Sequence, residues 1–172
     1  MDIICCEGNG YRIESIRKIP GSFVREKLVV VEGGDDEWNR KILNNKYVDI
    51  LLDPHQGMRR DKLQQRDSGL NEVLCKLAKE NDIAIGFSLH LILNTKKREE
   101  LFGRIMQNIE LCKKYKVKMV IGTFAKDKSE FRNEKDIEAL FKVLGMNIIE
   151  REFVKKRLEF KRKFVRKGVM LE

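Results

Sequence analysis

A chain of 172 residues is long enough for one domain with a real core, and 42% hydrophobic residues beside 37% charged ones exclude a disordered polyelectrolyte. The formal charge of +9 and a pI near 9.4 favour a polyanionic partner, nucleic acid or an anionic membrane. No apolar run approaches ~18 residues, so no membrane span is expected.

The start, MDIICCEGNG, has neither a basic n-region nor an apolar h-region, so no signal peptide and a cytoplasmic location are expected. IICC (3–6) reads as a possible first strand. Adjacent Cys5 and Cys6 would then face opposite sides, and Cys75 and Cys112 complete no C-x-x-C pair, so zinc is not expected. LVVV (28–31), VDILL (48–52), IAIGF (83–87) and VKMVIG (117–122) are short, branched and apolar throughout, the pattern of parallel strands buried on both faces.

Helical patterns lie between the strands. Residues 36–43 form a short helix. Leu70, Val73, Leu74, Leu77 and Ala78 form an amphipathic stripe, and the helix is predicted to begin at Asp67-Ser68-Gly69, with Asp67 or Ser68 as its cap. Phe102, Ile105, Met106, Ile109 and Cys112 repeat the stripe, as do Ile137, Leu140, Phe141 and Leu144, with Gly145 placed to end the helix. Strand and helix in alternation give right-handed βαβ units, either in an open doubly wound sheet or in part of a (β/α) barrel. A full eight-fold barrel takes ~250 residues, so a truncated one is expected. The chain reads as a single domain, 1–172: a short N-terminal part (1–27), a βα core (28–147) and a basic C-terminal extension (148–172).

Positive charge gathers in two places. The loop before the second helix carries Arg59, Arg60, Lys62 and Arg66, flexible charge beside a helix start that suits phosphate. Residues 151–167 hold nine Lys or Arg against two Glu. Lys155, Lys156, Arg162, Lys163 and Arg166 are candidates for RNA contact there. Phe153, Phe160 and Phe164 fit either an amphipathic helix docked on the domain or aromatic–basic interleaving for RNA.

Catalytic signatures are sparse. The strand ends carry Glu32, Asp53, His55, Ser88, His90 and Thr123. Two histidines cannot furnish a His-rich metal cluster. A single metal on Asp53, His55 and His90, with Glu32 nearby, is the alternative reading, that of a divergent metal-dependent phosphoesterase or nuclease. No dinucleotide fingerprint, Walker loop or G-x-S-x-G is present. A third reading is a protein-interaction module without RNA contact.

VDILLDP (48–54) followed by RDSGLNEVLCKLAKENDIAIGFSL (66–89) resembles the component 3 family of archaeal ribonuclease P, related to the 30-kDa subunits of ribonuclease P/MRP. LVVVEGG (28–34), NIELCKKYKVKMVIGTFA (108–125), FRNEKDIEALFKVLGM (131–146) and FVRKGVMLE (164–172) are similar to further family segments. Arg132 matches a family arginine, and Asp67, Ser68, Gly69 and Gly168 belong to motif positions. The resemblance implies a TIM-barrel-like fold of the polymerase-and-histidinol-phosphatase type with its metal centre lost. It also implies a non-catalytic subunit of the ribonucleoprotein that removes the 5′ leader of precursor tRNA. The partners implied are the ribonuclease P RNA, which holds the Mg2+ and the chemistry, protein component 2 and the other protein components, with precursor tRNA met indirectly. No cofactor is expected on this chain. MRRDKLQQ (58–65) looks inserted, Glu72 and His90 stand where the family commonly has His and Arg, and Lys167 replaces a frequent Pro.

Overall fold

The computed structural model describes residues 3–4, 11–13, 15–24, 27–61, 63, 65–147, 150 and 152–166. Seven parallel strands form its frame. β1 (Ile3–Ile4) pairs with β2 (Tyr11–Arg12). A second sheet runs β3 (Ser15–Ile16), β4 (Val30–Glu32), β5 (Ile50–Leu52), β6 (Ala84–Ser88) and β7 (Met119–Gly122) in strictly sequential order. A doubly wound sheet reverses its strand order part-way. Sequential order instead describes the wall of a (β/α) barrel, and β1 lies against β7, curling that wall towards closure.

The helices are α1 (Asp36–Leu43), α2 (Glu72–Glu80), α3 (Leu89–Asn94), α4 (Arg98–Tyr115), α5 (Glu134–Val143) and α6 (Phe153–Arg166). Alternation along each strand divides the core in two. Val29, Val31, Leu51, Ile85 and Phe87 pack with Ile42, Leu74, Ile105, Ile109 and Phe141 of the helices. Val30, Ile50, Leu52, Ala84 and Val120 face the other way and pack with Phe153 and Val154 of α6. Burial on both faces is why these strands read as unbroken apolar runs. Gly86 leaves room on the inner face, where an added Cβ would stand 2.8 Å from Ile50 Cγ2.

Helix α6 seals the N-terminal ends of the strands. Arg157 Nε donates to Asp49 Oδ1 at 2.7 Å and Nη1 to Asp82 Oδ2 at 3.2 Å. Lys161 Nζ donates to the Lys27 carbonyl at 2.9 Å and to Asp49 Oδ2. Lys27, Asp49 and Asp82 lie just before β4, β5 and β6, so the helix crosses that end of the wall. The docked amphipathic helix is therefore the arrangement found.

Three local expectations need correction. Helix α2 begins at Glu72, capped by Asn71, whose side chain accepts from Leu74 N at 3.0 Å. Gly69 sits at φ +76, a left-handed conformation that cannot start a helix. Helix α3 was not anticipated. Neither were β2 and β3, whose two residues each are too few to show a period.

Candidate nucleic-acid interface

The basic loop leaves the C-terminal end of β5 and is fastened down through Pro54, Arg59, Asp61 and residues 67–69. Asn39 of α1, fully buried, is the centre of the fastening. Its Oδ1 accepts from Gly34 N at 2.9 Å, and its Nδ2 donates to the Pro54 and Gly69 carbonyls at 3.0 Å each. Gly69 presses on the Pro54 carbonyl so closely that any Cβ would collide with it. The close approach at this glycine is thus made by its own chain. Asn108 of α4 donates to the Ser68 carbonyl at 2.8 Å, while the buried Ser68 hydroxyl has no partner.

Arg59 is part of this fastening, not a flexible arm. Its guanidinium side chain is 5% exposed and donates to Asp36, to Asp67 and to the Gly34 carbonyl. Arg104 of α4 closes the loop from the other side, donating to Asp61 Oδ1 at 2.9 Å and the Arg59 carbonyl at 3.1 Å. The Asp61 carboxylate also accepts from Asp67 N at 2.9 Å. Arg60 and Arg66 are exposed. The Arg66 guanidinium lies across α4, where a Cβ on Gly103 would come within 2.6 Å of it.

The remaining predicted positions are dispersed. Arg132 is exposed and donates to the Ser129 and Phe131 carbonyls at 2.8 and 2.7 Å. On α6, Lys155, Lys156, Arg162 and Lys163 face solvent, with Lys156 paired to Glu152 at 3.0 Å. Arg166 closes that helix. Lys62 and Gly168 lie outside the described residues. The loop stands at the C-terminal ends of the strands and α6 at the N-terminal ends, so the two basic surfaces occupy opposite ends of the barrel wall.

The proposed metal set of Asp53, His55 and His90 does not assemble. The Asp53 carboxylate accepts from Ser88 N at 2.9 Å and from the Ser88 hydroxyl. Burial, helped by the charge of Glu32 and opposed by the Ser88 hydrogen bonds, pushes its pKa up to about 7. His55 Nε2 stands 3.9 Å from Asp53 Oδ1, and neither ring nitrogen has a hydrogen-bond partner. The His55 ring stacks on Phe87, with centroids 6.0 Å apart. Burial first, then the charges of Arg59 and Arg104, lowers its pKa to about 3. His90 Nδ1 instead faces Glu130 at 2.7 Å. Glu32 is taken by Arg17 Nε at 2.7 Å, with Lys126 Nζ at 3.8 Å. Side-chain cations thus sit where metal ligands were expected to converge. Among the described residues no three His, Cys, Asp or Glu are placed to share a metal.

The sequence reading missed Asn39, Asn108, Arg104 and Asp61. For the first three a signal existed. Asn39 shares the buried face of α1 with Ile42 and Leu43, and Arg104 and Asn108 interrupt the stripe of Ile105, Ile109 and Cys112. A polar residue inside an apolar stripe has to have a partner.

The family model for RNase P subunit p30 matches residues 15–158, from β3 into α6. The chain belongs to the RNase P subunit p30 family. Within it, ribonuclease P protein component 3 of Methanosarcina acetivorans is 36% identical over 121 residues, 69% of this chain and 47% of that protein. Component 3 of Archaeoglobus fulgidus is 31% identical over 137 residues, 78% of this chain and 63% of that protein. The chain spans about half the length of the first of these curated relatives. Its fold superimposes with a TM-score of 0.67 and 28% identity on a chain of an archaeal ribonuclease P with mature tRNA, studied by cryo-EM, covering 83% of this chain and 61% of that one. In this p30-family member the matched region takes in β3 to β7, the loop after β5 and the start of α6. No helix among its described residues is long and apolar enough to cross a membrane.

Proposed function

We propose that this chain is a protein subunit of the ribonuclease P ribonucleoprotein, which removes the 5′ leader of precursor tRNA. In this reading it binds and supports the catalytic RNA together with component 2 and the other protein components, in the cytoplasm. Catalysis and its Mg2+ stay with the RNA, and the chain itself carries out no chemistry. The observation that carries the reading is the superposition on a chain of an archaeal ribonuclease P bound to tRNA. The barrel would be of the polymerase-and-histidinol-phosphatase type with its metal centre lost, a reading supported by Arg17 and Lys126 on Glu32 and Ser88 on Asp53.

The contacts assigned to RNA are Arg60 and Arg66 of the fastened loop, Arg132, and the outer face of α6 with Lys155, Lys156, Arg162 and Lys163; Lys62 and Arg166 extend the same two segments. Arg59 supports the loop from beneath. A rigid loop presents its charge without the entropy cost of ordering it on binding.

Reconstitution tests the proposal. Precursor-tRNA cleavage by the ribonuclease P RNA is followed at moderate Mg2+ with component 2, with and without this chain. Cleavage should fall sharply when the chain is left out. Unchanged cleavage would refute the accessory role, and cleavage by the chain alone would refute its non-catalytic character.

A further inference from the structure

A cleft of about 440 Å3 opens between the loop after β5 and the α3–α4 connection. That volume lies in the ~300–1,000 Å3 range of small-ligand sites. Three features of its lining have no structural account. His55 is buried in its wall with both ring nitrogens unpartnered. Arg59 also lines it, and while its Nη atoms are engaged, its buried Nε has no partner. Met58, a large apolar side chain, stands at the cleft fully exposed to water.

The chemistry of these groups narrows the ligand. At neutral pH His55 is uncharged, since burial and the charges of Arg59 and Arg104 lower its pKa to about 3. A neutral imidazole offers one N–H donor and one acceptor nitrogen. One of these nitrogens can meet a donor or acceptor on the edge of a nucleobase, while the neutral ring offers nothing ionic to a phosphate. Met58, Leu91 and Leu101 supply apolar surface for a flat ring, and an exposed methionine adapts readily to such a partner. Arg60, exposed and also lining the cleft, supplies charge for an attached phosphate. Single-stranded RNA is commonly read through unstacked bases received in this way.

We propose that the cleft receives one unpaired nucleotide of an RNA strand, its base against Met58, Leu91 and Leu101 with a polar edge towards His55, and its phosphate on Arg60. The inference rests on the RNA-binding reading above and gives it a specific contact. It also gives one orphaned imidazole nitrogen of the wall a ligand to meet.

The test is a titration of the full chain with each of the four nucleoside 5′-monophosphates and with inorganic phosphate, followed by the imidazole nitrogen signals in NMR. The chain has two histidines, so the spectrum of a His90→Gln variant assigns His55. At least one monophosphate should move the His55 signals saturably, and inorganic phosphate should not. Met58→Asp, by removing apolar contact with the base, and Arg60→Glu, by repelling the phosphate, both at exposed positions that folding tolerates, should each weaken that binding about tenfold. No His55 response to any monophosphate at millimolar concentration overturns the proposal. So does a response that both variants leave unchanged. Retained binding of ribonuclease P RNA by the same protein then places the failure in the cleft alone, whereas loss of both places it in the RNA-binding reading.

Discussion

Replacing Asn39 by alanine should release the whole basic loop, although the residue is buried and distant from solvent. The side chain makes three hydrogen bonds, one from Gly34 N and two to the carbonyls of Pro54 and Gly69. Alanine leaves all three partners unsatisfied in a packed region. At ~1 kcal/mol or slightly more for each orphaned group, the loss is ~3–4 kcal/mol. For a domain of this size that is a fall in Tm of roughly 6–15 °C. Asn39→Asp keeps the shape but turns an oxygen towards two carbonyl oxygens, so it should destabilise at least as much. Urea unfolding followed by circular dichroism measures both. An Asn39→Ala loss below about 1 kcal/mol would refute the view that this residue fastens the loop. RNA affinity should fall as well, because Arg60 and Arg66 lose their support.

Charge reversal should separate neighbouring arginines. Arg59→Glu, placed among Asp36, Asp67 and the Gly34 carbonyl, should cost ~3–5 kcal/mol in chemical denaturation. Arg60→Glu should stay within about 0.5 kcal/mol of wild type. In salt-titrated RNA binding it should lower the slope by roughly 0.7–0.9 if Arg60 meets one phosphate. At the other end of the wall, Lys161→Met should cost ~3 kcal/mol by leaving buried Asp49 with one cation fewer, and adding Asp49→Asn should recover part of it in the same assay. Two buried groups should shape the pH dependence of stability in opposite senses. Asp53, its pKa raised from ~4 to about 7, keeps its proton only when folded, so its contribution falls as pH rises between those values. His55, its pKa lowered to about 3, binds a proton only when unfolded, so its contribution is lost as pH falls from ~6.5 towards that value. Relative to wild type, Asp53→Asn should therefore tilt stability upwards with rising pH between about 4.5 and 6.5, and His55→Gln downwards, each by up to ~1.4 kcal/mol per pH unit. Parallel curves for both variants would refute the assignment.

Much of the barrel wall was legible because its strands are buried on both sides. Val30 and Val31 face different cores, yet both demand an apolar side chain, so the segment stands out without alternation. The stripes of α2, α4 and α5 were legible for the opposite reason, since one side of each helix meets solvent, but Val73 and Met106, read into two of them, are exposed. The start of α2 was not legible. Asp67-Ser68-Gly69 and Asn71 are all capping residue types, and only the contact with Pro54, fifteen residues before Gly69, decides between them. The fate of Arg59 was hidden in the same way. Its partners lie on two separate segments, Gly34 and Asp36 at the start of α1 and Asp67 at the far end of the loop, and nothing local distinguishes it from Arg60.

On α6 more could be read, and it bears on how RNA would be held. Phe153, Arg157 and Lys161 recur at four-residue spacing, as do Val154 and Leu158, so the inward stripe includes two of the bases. Lys155, Lys156, Arg162 and Lys163 remain outside it. Total charge therefore overstates what this segment offers a partner. The topology then separates that remainder from the loop. Both ends of a parallel strand are fixed by its direction, and α6 closes the starts of β4, β5 and β6 while the loop leaves the finish of β5. The five residues of β6 span roughly 16 Å. The loop and the helix cannot grip the same phosphates across that wall, so under the proposed function each would have to find its own stretch of RNA backbone.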